Sequence, residues 1–288
     1  MILHAIEAGP ALTAGQVNAG QLTAGQLTPG QATPGNAPVV LLHGLFGQAR
    51  NFGQIQRTLA QRWRVIALDL RNHGASPHAP DMRYATMARD VLETLGALGV
   101  ASAVLIGHSM GGKVAMRAAL LHPQAVQRLL VADIAPVVYP PHNHPIVAAM
   151  LAVPLHDGLT RAEADAALAS AVPEASVRAF LLQNLRLGAP PVWRIGLQEI
   201  AAAMADVEGW DGSADAPGDV TYPDRTLFVA GETSNYIRPE DRPTIRALFP
   251  AARFVTVKRA GHWLHADNPA GFLAVVEAFL SAPSVHGA

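Results

Sequence analysis

A serine set between small residues at a strand-to-helix turn has the makings of a nucleophile, and Gly107-His108-Ser109-Met110-Gly111 offers one. The run before it, Ala103–Ile106, is apolar and of strand length; the run after it, Gly111–Leu121, reads as an apolar helix. In a turn that tight the flanking backbones approach closely. Gly107 and Gly111 remove side chains that would collide there, and Gly112 extends the allowance. The turn lifts Oγ above the sheet at a helix N-terminus. There the helix dipole and free N–H groups favour the negative charge that forms when the oxygen attacks a carbonyl. The residue after the nucleophile is expected to supply one N–H to that charge, which assigns Met110. A second N–H is expected from the loop His43-Gly44-Leu45-Phe46-Gly47, through Leu45 with Phe46 as the fallback. His43 itself is read as bracing that loop.

Such a serine needs a base and an acid behind the base, and in this architecture they follow it in the chain as acid and then histidine. His262, after the apolar run Phe254–Val257 and before the last helix, is expected to take the base role; His265 falls at the start of the helical region and is the second choice. The acid holds the imidazole tautomer and stabilises the imidazolium. Asp133 closes the apolar run that starts at Arg128, and an aspartate at the end of a buried strand is costly unless it is paired. It is the expected acid. Glu232, after the run Thr226–Ala230, is the alternative. His142, His144 and His156 lack a carboxylate at supporting spacing, so no metal is expected. Asp69-Leu70-Arg71-Asn72-His73-Gly74-Ala75-Ser76-Pro77 reads as a structural loop.

The elements that must position these residues come from hydrophobic periodicity. Ile2–Ile6, Pro38–Leu42, Arg64–Leu68, Ala103–Ile106, Arg128–Ile134, Thr226–Ala230 and Phe254–Val257 are short apolar runs. Helical patterns separate most of them, at 50–61, 84–98, 111–121, 241–248 and 270–280. Near-continuous apolar strands alternating with helices indicate a mostly parallel central sheet with helices on both faces. Ligands bind beyond the carboxyl ends of such strands. Between Pro136 and about Asp224 the alternation gives way to helical stretches such as 161–171 and 176–187, with no clear strand. The chain therefore divides into an N-terminal strand plus insertion at 1–36, a core at 37–136 and 220–282, an inserted helical cap at 137–219, and a tail at 283–288.

Bulk composition narrows the function classes. Of 288 residues, 50% are hydrophobic and 15% charged, as in a compact enzyme. A net charge of −1 gives no general attraction to nucleic acid. With no cysteine there is no disulfide, thiol nucleophile or thiolate metal site. MILHAIEAGP lacks the basic start and apolar core of a secretion leader, and no window suits a membrane span, so the default expectation is cytoplasmic.

HGLFG (43–47), RNHG-SP (71–77), GHSMGGK (107–113), DIAP (133–136) and AGHW-HA (260–266) together resemble the α/β-hydrolase superfamily across nearly all of 37–282. The nearer likeness is to the bacterial YbfF-type esterases and related abhydrolase-domain proteins. This resemblance implies an α/β-hydrolase fold and a serine esterase without cofactor. Its implied substrate is a short- to medium-chain acyl ester or thioester. Separately from the resemblance, a monomer or small homo-oligomer is expected. The triad acid can come from the DIAP strand end. Many superfamily members carry Asp where this chain has Ser234; the resemblance instead puts Ser234 at the substrate pocket. Phe46, in the loop 43–47, is expected to line that pocket too. Acyl transfer to an alcohol, carbon–carbon bond hydrolysis, perhydrolysis and non-catalytic binding are the rival readings.

Residues 12–36 run LTAGQ-VNAGQ-LTAGQ-LTPGQ-ATPGN, a five-residue period without the bulky positions that would fill a solenoid core. They read as a flexible insertion remote from the chemistry. Deleting 12–36 is expected to leave kcat/KM and the melting temperature nearly unchanged. A large loss of either refutes that reading.

Overall fold

The computed structural model describes residues 1–10, 37–210 and 220–282. The repeats at 12–36 and the tail at 283–288 lie outside the described residues. Among those described, a seven-stranded sheet has the order β1-β3-β2-β4-β5-β8-β9. The strands are β1 (Ala5–Ala8), β2 (Val39–Leu42), β3 (Val65–Leu68), β4 (Ala103–His108), β5 (Val126–Ala132), β8 (Thr226–Gly231) and β9 (Ala252–Val257). All neighbours are parallel except β1, which runs antiparallel to β3 along one edge.

Alternation along each central strand feeds two cores. Val40 and Leu42 of β2 join the core under α2 (Tyr84–Ala97) and α3 (Met110–Leu121). Val39 and Leu41 face the opposite core, which α1 (Gly53–Leu59) and the C-terminal helix Pro269–Ser281 cover. All four are fully buried. This two-sided burial is why the runs read as continuously apolar.

Two expectations are corrected. The first strand is Ala5–Ala8, not Ile2–Ile6; pairing of Ala5 with Leu68 and Ala8 with Val65 sets its register. Buried Leu3 lies before the strand and donates its N–H to Thr94 Oγ1 at 2.9 Å. The segment between β5 and β8 also contains strand. Its helices are α4 (His144–Ala152), α5 (Arg161–Leu168), α6 (Ala175–Leu182), α7 (Leu197–Ala202) and α8 (Met204–Glu208). After α6, β6 (Leu185–Arg186) pairs antiparallel with β7 (Val192–Trp193). Two-residue strands are too short to leave a periodic signal. The chain then continues through α9 (Arg242–Leu248), α10 (Leu264–Asp267) and α11 (Pro269–Ser281).

The loop after β3 is a structural knot. Asp69 accepts N–H bonds from Ala49 at 2.7 Å and Ala75 at 2.9 Å, and its Oδ2 lies 2.8 Å from His4 Nδ1. A Cβ on Gly74, at φ 57°, would fall 2.1 Å from the Asp69 carboxyl carbon. Despite burial, bonds from His4 and these N–H groups hold the Asp69 carboxyl down at about 2. His73 and His43 are buried beside it. Burial, with His43 nearby, pushes His73 down to about 3, and burial also lowers His43. The unfolded chain therefore takes up protons below about pH 6.5 that these two folded imidazoles refuse. Stability should fall as pH drops below about 6.5, by up to about 1.4 kcal/mol per pH unit for each imidazole. Asp69 adds a further loss between about pH 4 and 2. A melting temperature that stays flat from pH 7.5 to 5 would contradict this. His73→Asn should lower stability at pH 8 yet flatten the acid slope.

Candidate active site

Sheet register brings several strand ends to one rim. His108 of β4 pairs with Ala132 of β5, Ala132 with Val229 of β8, and Gly231 of β8 with Val257 of β9. The residues that follow these ends are Ser109, Asp133, Glu232 and the loop 258–262.

Ser109 has φ 52° and ψ −123°, a conformation outside the ordinary regions for a residue with Cβ. Its N–H donates to Ala132 O at 2.9 Å. A Cβ on Gly107 would lie 2.2 Å from Gly111 O, and one on Gly111 would lie 2.4 Å from Leu42 O. Both clashes are with backbone, so nothing nearby can rotate away. β4 and α3 can therefore meet at this angle only with glycine at both positions.

Asp133 is fully buried and also left-handed, with φ 54°. That conformation ends β5 and turns the side chain under the next loop. Its Oδ1 accepts the Gly231 N–H at 2.9 Å, and its Oδ2 lies 2.8 Å from His262 Nδ1. Ser234 Oγ donates to the same Oδ2. His262 Nε2 lies 3.0 Å from Ser109 Oγ, so one imidazole spans the carboxylate and the hydroxyl. The loop reaches this far because it crosses directly over Gly231, where a Cβ would fall 2.1 Å from Gly261 O.

The other expected residues fall as follows. Glu232 faces solvent. It accepts the Arg259 N–H at 2.8 Å and pairs with Lys258 at 2.8 Å, and these contacts lower its carboxyl pKa. Ser234, expected at the pocket, turns its hydroxyl to Asp133 and does not line the cavity, whereas Phe46 does. The N–H groups of Leu45 and Met110 have no protein acceptor among the described residues. The fallback donor is committed elsewhere, since Phe46 N–H donates to His73 Nε2 at 3.1 Å. His43 accepts the Leu70 N–H at Nε2, so its Nδ1 carries the proton that bonds Gly44 O at 2.8 Å. His265 lies at a ring distance of 4.9 Å from His108, with burial pushing it down to about 4. His142 bonds the Tyr236 hydroxyl at 2.6 Å, and His144 lies 3.2 Å from Glu208.

Three further residues shape the site without a spacing signal. Tyr236 stacks on His262, with centroids 4.0 Å apart and planes at 24°. His108, whose pKa burial drives well below its usual value, donates from Nε2 to His262 O at 2.7 Å. Lys113, buried on α3, donates to Glu208 O at 3.3 Å and to Gly209 O, tying α8 to the core. The serine opens into a cavity of about 470 Å³, with Phe46, Ile134, Ile146, Val172 and Phe180 on its walls.

A family model described as alpha/beta hydrolase fold matches residues 37–269. The chain belongs to the α/β-hydrolase family. It is 41% identical over 252 residues to the sn-1-specific diacylglycerol lipase ABHD11 of Mus musculus, covering 84% of this chain and 80% of that one. It is 36% identical over 247 residues to esterase YbfF of Escherichia coli (strain K12), with 85% and 94% covered. Among solved structures, a marine microorganism esterase superposes with a TM-score of 0.83 at 32% identity, covering 96% of this chain and 99% of that one. Within this α/β-hydrolase no helix among the described residues is long and apolar enough to cross a membrane.

Gly111→Ala tests the packing of the turn. Its Cβ would have to push into the Leu42 carbonyl, so the variant should melt at least about 5 °C lower and lose most of any activity Ser109 carries. Parent-like melting would show that the turn has slack.

Proposed function

We infer that the protein is a serine esterase that hydrolyses short- to medium-chain acyl esters, thioesters included, through an acyl-enzyme. The observation that carries this reading is the bonded series Asp133–His262–Ser109, at 2.8 and 3.0 Å, beside two unengaged N–H groups. Its resemblance to named esterases and a lipase supports the same class.

In the proposed cycle His262 Nε2 takes the Ser109 proton as Oγ adds to the ester carbonyl. Asp133 keeps the Nδ1–H tautomer in place and offsets the imidazolium charge. The tetrahedral oxyanion accepts N–H bonds from Leu45 and Met110. Collapse of the intermediate breaks the ester C–O bond, and the imidazolium protonates the departing alkoxide. Water, deprotonated by His262, then attacks the acyl-serine; the bond from the acyl carbon to Ser109 Oγ breaks, and the imidazolium returns its proton to Oγ as the acid leaves. The apolar walls of the cavity suit an acyl chain, and no step calls on a cofactor.

Ser109→Ala should cut kcat on p-nitrophenyl butyrate by at least about 10⁴-fold while the protein stays folded. Retained turnover would sink the assignment. Asp133→Asn should cost about 10⁴-fold in kcat by presenting the wrong hydrogen-bond partner to the imidazole. Glu232→Gln should stay within about twofold, because that carboxylate serves Lys258 and Arg259. The reverse pattern would move the acid to Glu232.

A further inference from the structure

Phe46 sits at φ 61°, where a bulky aromatic residue is rarely found. It is the third residue of the tight turn closed by the Gly47 N–H to Gly44 O bond of 2.9 Å, a position that ordinarily selects glycine or asparagine. A conformation of this kind persists only where the surroundings over-determine it. Here both polar groups of Phe46 are held. From the core, His73 Nε2 accepts its N–H at 3.1 Å. Since His73 Nδ1 is engaged at 2.8 Å with the Arg71 carbonyl, Nδ1 carries the proton and Nε2 is a bare acceptor. From the inserted segment, Asn184 Nδ2 donates to Phe46 O at 2.8 Å.

Asn184 is built for that contact. It is buried between α6 and β6, and its side-chain nitrogen also donates to Leu181 O at 3.2 Å. Two carbonyl acceptors on one amide group fix the NH₂ end toward Phe46. Its own carbonyl accepts the Arg194 N–H at 2.8 Å, which ties it to the β6–β7 pair.

We propose that Asn184 is a positioning residue for oxyanion stabilisation: with His73 it clamps the strained Phe46 and so holds the Leu45 N–H toward the oxygen of the reacting carbonyl. The inserted segment then completes the catalytic geometry as well as roofing the pocket. This rests on the esterase reading above, in which Leu45 is an oxyanion donor. The clamp acts on the transition state and not on the acyl chain, so its loss lowers kcat evenly across substrates and spares KM.

The test uses the full chain with Asn184→Ala, and with Asn184→Leu as a second variant that fills similar space without a donor. Either folded variant should lose about 10–100-fold in kcat on both p-nitrophenyl acetate and p-nitrophenyl hexanoate, with KM within about twofold; deleting an oxyanion donor outright costs about 10²–10³-fold. Affinity for an alkylboronic acid, whose tetrahedral adduct places an oxygen in the same position, should fall by a similar factor. A folded variant that keeps kcat within about threefold overturns the clamp. So does a loss that sits in KM or grows with acyl length, which would mark a pocket effect. A fluorophosphonate separates the two levels. If it leaves Ser109 of the unaltered protein unlabelled, the esterase reading fails and the clamp with it. If it labels Ser109 and the Asn184 variants turn over like the parent, only the clamp fails.

Discussion

A carboxyl group with no exposed surface has to be satisfied by its surroundings, and Asp133 organises the rim of this sheet around that requirement. Three groups from two loops converge on it: the Gly231 N–H, the Ser234 hydroxyl and His262 Nδ1. Each contact also locates the loop it comes from. The 231–234 turn is pinned to the end of β5, and the 260–262 crossing is pinned above that turn. The imidazole then has one free nitrogen, and it lies at Ser109. Removing the carboxylate would cost more than a proposed catalytic partner, since two loops would lose their common anchor.

Close backbone approach is the second constraint. The elbow, the crossing over Gly231 and the knot at Gly74 all place backbone or a carboxylate where a Cβ would stand, at 2.1 to 2.4 Å. Left-handed conformations at Ser109, Asp133 and Phe46 accompany these approaches. Each is an unfavourable local choice held by long-range bonds. Such strain concentrates where a reactive group must be presented at a fixed angle.

The inserted segment does more than cover the cavity. It reaches the core through Lys113 to the end of α8 and through Asn184 to the turn at Phe46. The last contact joins cap position to the backbone proposed to stabilise the oxyanion. Tyr236, bonded to His142 and stacked on His262, provides a parallel route to the imidazole.

Much of the architecture is a local property of the chain. Apolar runs at Val39–Leu42, Val65–Leu68 and Ala103–Ile106, separated by helical periods, are enough to specify a parallel sheet with helices on both faces, because burial on both sides leaves that pattern in the residues themselves. The glycines around Ser109 are legible for the same reason: a turn of that tightness excludes side chains at both ends of five consecutive positions. Local spacing left Asp133 and Glu232 both open as the partner of His262, and the resemblance put Ser234 at the pocket, whereas its hydroxyl turns to Asp133. Those matters were decided by tertiary structure. The bonds of His262 to Asp133 and to Ser109 span 129 and 153 residues, and they exist because strand register levels the ends of β4, β5, β8 and β9. The grip of Asn184 on Phe46, across 138 residues, has no sequence signature either. A hydrogen bond between distant segments depends on how packed layers bring their loops together, and no periodicity within either segment records it.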